Sequence, residues 1–140
     1  MVKKGYNEDN MLKKDLEKLE KIFKLYSEIK LVYLFGSRVS GRVGPLSDYD
    51  FAVYLDEKDS KKRFDIRLEL MAKIGEILKT DHVDVVIFND TESPELKYNI
   101  IKEGRVIFEK EPFKVLLEPR ILNEFFDFRE MLRRNNLTKT

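Results

Sequence analysis

The sequence lacks the residues that several classes of functional site require. It has no cysteine, no tryptophan and no glutamine, and a single histidine. Without cysteine, a disulfide framework, a thiolate nucleophile and a cysteine-ligated zinc site are all excluded. Thiol-dependent catalysis is therefore not a function of this chain.

The chain also lacks an excess of either charge and a long apolar run. Lys+Arg 27 against Asp+Glu 26 gives a net charge of +1, whereas proteins that coat nucleic acids carry a larger basic excess. No segment approaches the roughly 20 apolar residues of a membrane helix, and MVKKGYNEDN has no apolar core behind its lysines. We expect a cytoplasmic protein with no membrane segment and no direct nucleic-acid binding.

The length and composition predict one folded domain. At 140 residues with 42% hydrophobic residues, the chain is long enough for a single hydrophobic core. We expect residues 1–140 to form one domain, with 112–140 as a C-terminal helical extension.

Strand and helix patterns alternate along the sequence, which predicts an α/β or α+β fold with a small mixed sheet flanked by helices. Strands are predicted over 31–35, 48–55, 82–88 and 105–109. Helices are predicted from caps at 7–10 to about 29, over 60–79, from 93 to about 103, and from 112 onward. Pro119 is expected to break or kink the last of these.

The second predicted helix carries apolar residues at three- and four-residue steps, the spacing of one buried face. Asp59 or Ser60 is its expected N-cap. The residues expected to face the core are Phe64, Leu68, Met71, Ile74 and Leu78.

Two aspartates, Asp48 and Asp50, lie in the second predicted strand beside aromatic residues. Strand side chains alternate, so both lie on one face with roughly 7 Å between their α-carbons. That spacing lets both carboxylates reach one or two divalent ions, and Mg²⁺ prefers oxygen ligands of this kind. An ordinary turn or cap is the alternative for Asp48, but Asp50 lies within the strand pattern.

A third carboxylate, Asp84, lies in the strand predicted over 82–88. The helix over 60–79 allows a right-handed crossover, which makes this strand parallel to the one over 48–55. Asp84 then lies next to the aspartate pair. Three carboxylates that converge form a metal site, whereas each alone is an uncompensated charge near the sheet.

Gly36 and Ser37 follow the first predicted strand. Glycine allows close approach of the backbone to a ligand, and exposed N–H groups at the start of a helical turn attract phosphate. The serine hydroxyl adds a hydrogen-bond donor. A phosphate-binding turn beside a carboxylate–metal cluster is what phosphoryl or nucleotidyl transfer requires.

The GS pair at 36–37, ten further residues, the DYD triplet at 48–50 and the later Asp84 resemble the signature of the DNA polymerase β-type nucleotidyltransferase superfamily. The small size and the GSRVSGR segment most resemble its minimal nucleotidyltransferases, the MntA-type antitoxins paired with HEPN-domain (HepT-type) toxins. The resemblance covers about residues 10–110.

The resemblance implies a Mg²⁺-dependent enzyme that uses ATP and transfers AMP to a tyrosine of a partner toxin, an RNase, which is thereby silenced. By position, Gly36 and Ser37 are then expected to hold the triphosphate, and Asp48 and Asp50 to ligate the metal. Asp84 is expected to be the third carboxylate, either a ligand or the general base that takes the acceptor proton.

Arg38 and Arg42 flank the phosphate turn, and the resemblance makes them expected contacts to phosphate or to the partner. The fork of donors on arginine suits this role. Solvated loop charges are the alternative for both residues.

Three functions fit this pattern. The first is a protein adenylyltransferase that acts as an antitoxin, and the second is an antitoxin that neutralises its toxin by contact alone. The third is a nucleotidyltransferase for a small molecule, such as the aminoglycoside-modifying relatives, which usually append a helical substrate domain. Only about 30 residues follow Glu109, which favours a macromolecular partner.

Overall fold

The computed structural model of the chain describes residues 13–36 and 49–136. The helices are α1 (Lys13–Lys24), α2 (Ser60–Leu78), α3 (Pro94–Glu103) and α4 (Phe113–Arg134). The strands are β1 (Ile29–Phe35), β2 (Tyr49–Leu55), β3 (Val83–Ile87) and β4 (Arg105–Glu109). A short 3-10 turn, Phe88–Asp90, follows β3.

The four strands form one mixed sheet in the order β3-β2-β1-β4. β1 is antiparallel to both β2 and β4, whereas β2 and β3 are parallel. α2 connects the parallel pair, as the crossover rule requires. The predicted small mixed sheet flanked by helices is therefore confirmed.

Helices cover both faces of the sheet because alternate strand residues point to opposite sides. Phe51, Val53 and Leu55 belong to the core that packs against α1 and α2. Ala52 and Tyr54 face the other core, which packs against α3 and α4. The alternation predicted for β2 is confirmed.

The first helix is shorter than predicted. α1 ends at Lys24, and the backbone N–H groups of Leu25 and Tyr26 bond three residues back, to Ile22 and Phe23. The tightened turn exposes 71% of Leu25 and lets β1 begin at Ile29, which is fully buried. The apolar spacing of the predicted helix continues to Ile29, but burial in the sheet places Ile29 in β1. The predicted caps at 7–10 lie outside the described residues.

The predicted buried face of α2 is partly wrong. Asp59 caps the helix as expected, since its side chain accepts a hydrogen bond from the N–H of Lys61. However, Phe64 and Leu68 are 53% and 46% exposed. The helix has two overlapping apolar stripes, and the one that packs on the sheet consists of Ile66, Leu70 and Ile74.

The C-terminal helix, α4, is continuous through Pro119, so the expected break is absent. Proline removes one backbone donor and leaves the carbonyl of residue 115 without its helical partner. Val115 is 73% exposed, so this carbonyl belongs to the solvent side of the helix. Leu117 and Ile121, on either side of the proline, are buried and hold both parts of the helix against the sheet.

A partly buried polar contact also attaches α4 to the sheet. The hydroxyl of Tyr33, in β1, donates a hydrogen bond to the Glu118 carboxylate. Burial, and then this hydrogen bond, raise the pKa of Tyr33 well above its ordinary range. α4 therefore has one fixed position over the β1 side of the sheet. Within the described ranges, no helix is both long and apolar enough to cross a membrane.

Candidate active site

Asp50 and Asp84 are direct neighbours across the parallel pair of strands. Their α-carbons are register partners in the β2–β3 ladder, and adjacent strands are about 4.8 Å apart. Because both residues alternate with core residues of the α1–α2 side, both carboxylates lie on the opposite face of the sheet. The neighbouring arrangement predicted for these two aspartates is confirmed.

This register is fixed by hydrogen bonds at both ends of the strand pair. At the aspartate end, the N–H of Tyr49 donates to the carbonyl of His82 over 2.8 Å. At the other end, the Asn89 side chain bonds both backbone groups of Leu55, at 3.1 and 2.8 Å. A shift of β3 by one residue along β2 would move one aspartate to the other face of the sheet. The bonds at both ends therefore keep the two carboxylates on the same face.

Gly36 lies directly against the Asp50 carboxylate. Its φ of +88° is a conformation that L side chains rarely adopt. A Cβ at this position would overlap Asp50 Oδ2 and lie 3.1 Å from Asp50 Cγ. Glycine is therefore required on two grounds, the left-handed backbone and the space that Asp50 occupies. The turn after β1 and the aspartates of β2 and β3 form one site.

Arg67 is a site residue that the sequence analysis did not single out. It belongs to α2, and its Nη2 donates to Asp84 Oδ1 over 3.2 Å while its Nε donates to the carbonyl oxygen of Val85 over 2.6 Å. The α2 sequence contains many charged residues, and nothing in their spacing distinguishes this one.

The donor set of the site fits a Mg²⁺ ion. Asp50 and Asp84 supply hard oxygen atoms from adjacent strands, which is the ligand chemistry that Mg²⁺ prefers. No group of three or more histidine, cysteine, aspartate or glutamate residues close enough to hold a metal occurs within 13–36 and 49–136. Asp48, the predicted partner of this pair, lies outside those ranges. The predicted phosphate contacts Ser37, Arg38 and Arg42 also lie outside the described residues.

A curated relative shares sequence with the chain. The chain is 33% identical over 90 residues to a protein named protein adenylyltransferase MntA from Aphanizomenon flos-aquae (strain 2012/KM1/D3). The aligned segment spans 59% of this chain and 58% of that relative.

Solved structures show the same fold. One is a toxin–antitoxin structure with AMP-PNP, with a TM-score of 0.68 and 23% identity over 86% of this chain and 92% of that one. Another is the tri-AMPylated HEPN toxin of Shewanella oneidensis in complex with its MNT antitoxin, with a TM-score of 0.62 and 23% identity. The second likeness covers 85% of this chain and 93% of that one.

The family comparison agrees with the geometry. The family model described as polymerase beta, nucleotidyltransferase matches residues 17–113, a range that contains the glycine turn, all four strands and both described aspartates. The chain therefore belongs to the polymerase β nucleotidyltransferase family.

Proposed function

We propose that this chain is an antitoxin with protein adenylyltransferase activity, which transfers AMP from ATP to a tyrosine hydroxyl of a HEPN-domain toxin of the HepT type. The partner toxin is an RNase that the modification silences, and the reaction takes place in the cytoplasm and depends on Mg²⁺. The observation that carries the proposal is the pairing of Asp50 with Asp84 in register, with Gly36 packed against Asp50.

The proposed roles follow the order of the elements around this pair. Gly36 and Ser37 hold the triphosphate, because a backbone without a side chain can approach phosphate oxygens closely. Asp48 and Asp50 ligate the metal. Asp84 is the third carboxylate, either as a ligand or as the base that accepts the phenolic proton.

Two arginines are proposed to complete the nucleotide site. Arg38 and Arg42 follow the glycine turn in sequence and supply positive charge toward phosphate or toward the partner protein. Their forked guanidinium groups can bond two oxygen atoms at once, which suits both kinds of contact.

The proposed reaction is a single nucleotidyl transfer. The tyrosine oxygen attacks the α-phosphorus of ATP, the bond from this phosphorus to the bridging oxygen breaks, and pyrophosphate leaves. The phenolic proton passes to a base, for which Asp84 is the candidate. Bound Mg²⁺ supplies neutralisation of the triphosphate charge.

The relatives support this choice of donor and acceptor. The aligned curated relative is named for protein adenylyl transfer. One similar structure contains AMP-PNP, an ATP analogue, and another contains an AMPylated HEPN toxin in complex with an MNT antitoxin. Their shared fold with this chain makes a toxin of the same kind the proposed partner.

The deciding experiment is incubation of the chain with labelled ATP, Mg²⁺ and the toxin encoded beside it. We expect the toxin to gain mass in steps of one adenylyl group and to lose RNase activity. Asp50→Asn should abolish the mass gain because it removes a carboxylate from the centre of the site. Asp65→Asn is the matched control, since Asp65 lies on the exposed side of α2, where it pairs with Lys61 at 3.6 Å.

The other functions predict different results in the same experiment. Toxin inhibition that persists with Asp50→Asn in the absence of ATP would indicate neutralisation by contact. Adenylylation of an aminoglycoside or another small hydroxylated compound, with an unmodified toxin, would indicate a small-molecule enzyme. Either result would overturn the proposal.

A further inference from the structure

The Arg67 side chain connects two layers of the protein at the edge of the sheet. α2 packs on one face, whereas Asp84 points to the other, and β3 is the edge strand between them. The guanidinium reaches around this edge to Asp84 Oδ1 at 3.2 Å. Arg67 therefore contacts the site from outside, through the side chain of a residue on the edge strand.

The two contacts of Arg67 fix the direction of its guanidinium. Nε donates to the Val85 carbonyl over 2.6 Å, and Nη2 donates to the Asp84 carboxylate. A planar group held at two points on adjacent residues has little freedom to rotate. Asp84, which is 47% exposed, is in turn held through Oδ1, and its α-carbon is the register partner of Asp50.

The charge of Arg67 also opposes a repulsion in the site. Asp50 and Asp84 are neighbours in register, and two negative charges this close repel each other. A guanidinium on the outer side of Asp84 offsets part of that repulsion without occupying the space between the two aspartates. Asp50 and Asp84 therefore face the reaction, while Arg67 contacts Asp84 from the outer side.

We propose that Arg67 is the positioning residue of the reaction centre: it holds Asp84 Oδ1 from the edge of the sheet and so orients the carboxylate toward Asp50. The inference rests on the proposed function, because Asp84 must take part in adenylyl transfer. Outer contacts of this kind commonly change activity by about 10- to 100-fold when they are removed.

Arg67→Gln is the test variant, and Arg63→Gln is its matched control. Arg63 lies one turn earlier on α2 and also holds an aspartate that follows β3, with its Nη2 2.6 Å from Asp90 Oδ1. Asp90 is at the opposite end of β3 from Asp84. Each variant removes an ion pair between an arginine of α2 and an aspartate in or after β3. Only Arg67→Gln removes a contact to an aspartate of the candidate site.

Three quantities are measured for each variant: the kcat and KM for ATP, the affinity for Mn²⁺ by electron paramagnetic resonance with α,β-methylene-ATP, and the thermal midpoint. For Arg67→Gln we expect kcat to fall about 10- to 100-fold with little change in the KM for ATP. The Mn²⁺ affinity should change in Arg67→Gln and not in Arg63→Gln, because only Arg67 holds a carboxylate of the site. Arg67→Lys should restore part of kcat, and Arg63→Gln should change only the thermal midpoint.

The results distinguish failure of this inference from failure of the proposed function. Wild-type chain that transfers AMP, with the kcat of Arg67→Gln no lower than that of Arg63→Gln, would overturn the positioning role alone. Wild-type chain without transfer activity, but with a Mn²⁺ affinity that changes in Arg67→Gln and not in Arg63→Gln, would overturn the proposed function and keep the contribution of Arg67 to the site. Wild-type chain that binds no Mn²⁺ would overturn both.

Discussion

The side-chain amide of Asn89 bonds both backbone groups of Leu55, as a further residue of β3 would. Its Oδ1 accepts from the Leu55 N–H at 3.1 Å, and its Nδ2 donates to the Leu55 carbonyl at 2.8 Å. β3 has already ended at Ile87, so a side chain continues the parallel ladder beyond the end of the strand. The last residue of β2 thereby keeps its hydrogen bonds.

Asn89→Ala should therefore destabilise the fold. Loss of two hydrogen bonds leaves the Leu55 backbone groups without this partner, and we expect a decrease of about 1–3 kcal/mol in the free energy of unfolding. Urea denaturation followed by circular dichroism measures the change. Asn99→Ala, at an exposed position of α3, is the control and should be neutral or slightly stabilising. Equal midpoints for the two variants would contradict the role of Asn89.

Gly36→Ala should reduce adenylyl transfer more than it reduces stability. The added Cβ overlaps Asp50 Oδ2, so the carboxylate has to move, and a displacement of this size at a reaction centre costs about 100-fold in rate. Single-turnover transfer and a thermal melt of the same preparation measure the two effects.

Gly36→Asn separates the two reasons for glycine at this position. Asparagine tolerates positive φ better than alanine does, yet its Cβ meets Asp50 in the same way. Loss of activity in both variants supports the overlap with Asp50. Recovery in Gly36→Asn would show that backbone strain alone is responsible.

The Tyr33–Glu118 contact predicts how stability changes in alkaline solution. The folded state raises the pKa of Tyr33 above its ordinary value of about 10. Its stabilising contribution is therefore complete below pH 10 and decreases as the pH rises further, because tyrosine in the unfolded chain then ionises first. Denaturation midpoints measured from pH 8 to pH 11 should fall above pH 10.

Tyr33→Phe should lower the stability at pH 8 by about 1–3 kcal/mol, since it removes a hydrogen bond to a charged group. It should also weaken the fall above pH 10. Tyr54→Phe, on the same face of the sheet, is the control and should keep the wild-type pH dependence. If the denaturation midpoint of Tyr33→Phe decreased above pH 10 as much as that of the wild-type protein, Tyr33 would not be the source of the decrease.

Arg63→Lys should destabilise the segment that joins β2 to α2. Arg63 is 13% exposed, pairs with Asp90 and donates to the carbonyl oxygens of Glu57 and Lys58. Lysine has no fork that reaches all three partners, so we expect a loss of about 1–2 kcal/mol in urea denaturation. Lys61→Ala removes a pair whose lysine is 82% exposed and should change stability by less than about 0.5 kcal/mol.

The arrangement of β2 and β3 can be predicted because it follows from general rules of strand geometry and connection. Alternation within 48–55 assigned the two faces of β2, and the crossover rule placed Asp84 beside Asp50. Both rules depend on backbone geometry that every strand shares. For this reason the mixed character of the sheet and the neighbouring positions of Asp50 and Asp84 follow from the sequence.

The errors arose where packing of distant segments decides between local alternatives. α2 has two apolar stripes, and only contact with the sheet selects the stripe that contains Ile66 and leaves Phe64 exposed. The same contact decides which charge of α2 reaches Asp84, so Arg67 had no local signal. The roles of Ser37 and Asp48, and the division of the chain at residue 112, stay predictions.

The Val85 carbonyl bound by Arg67 belongs to an outermost strand of the sheet. Unoccupied backbone groups along such a strand invite another extended chain to pair with it, which is a common start of aggregation. The Arg67 guanidinium occupies this carbonyl, and its side chain crosses the edge of the sheet. Pairing of another strand with β3 is therefore unfavourable. We therefore expect the arginine that contacts Asp84 to disfavour self-association through β3 as well.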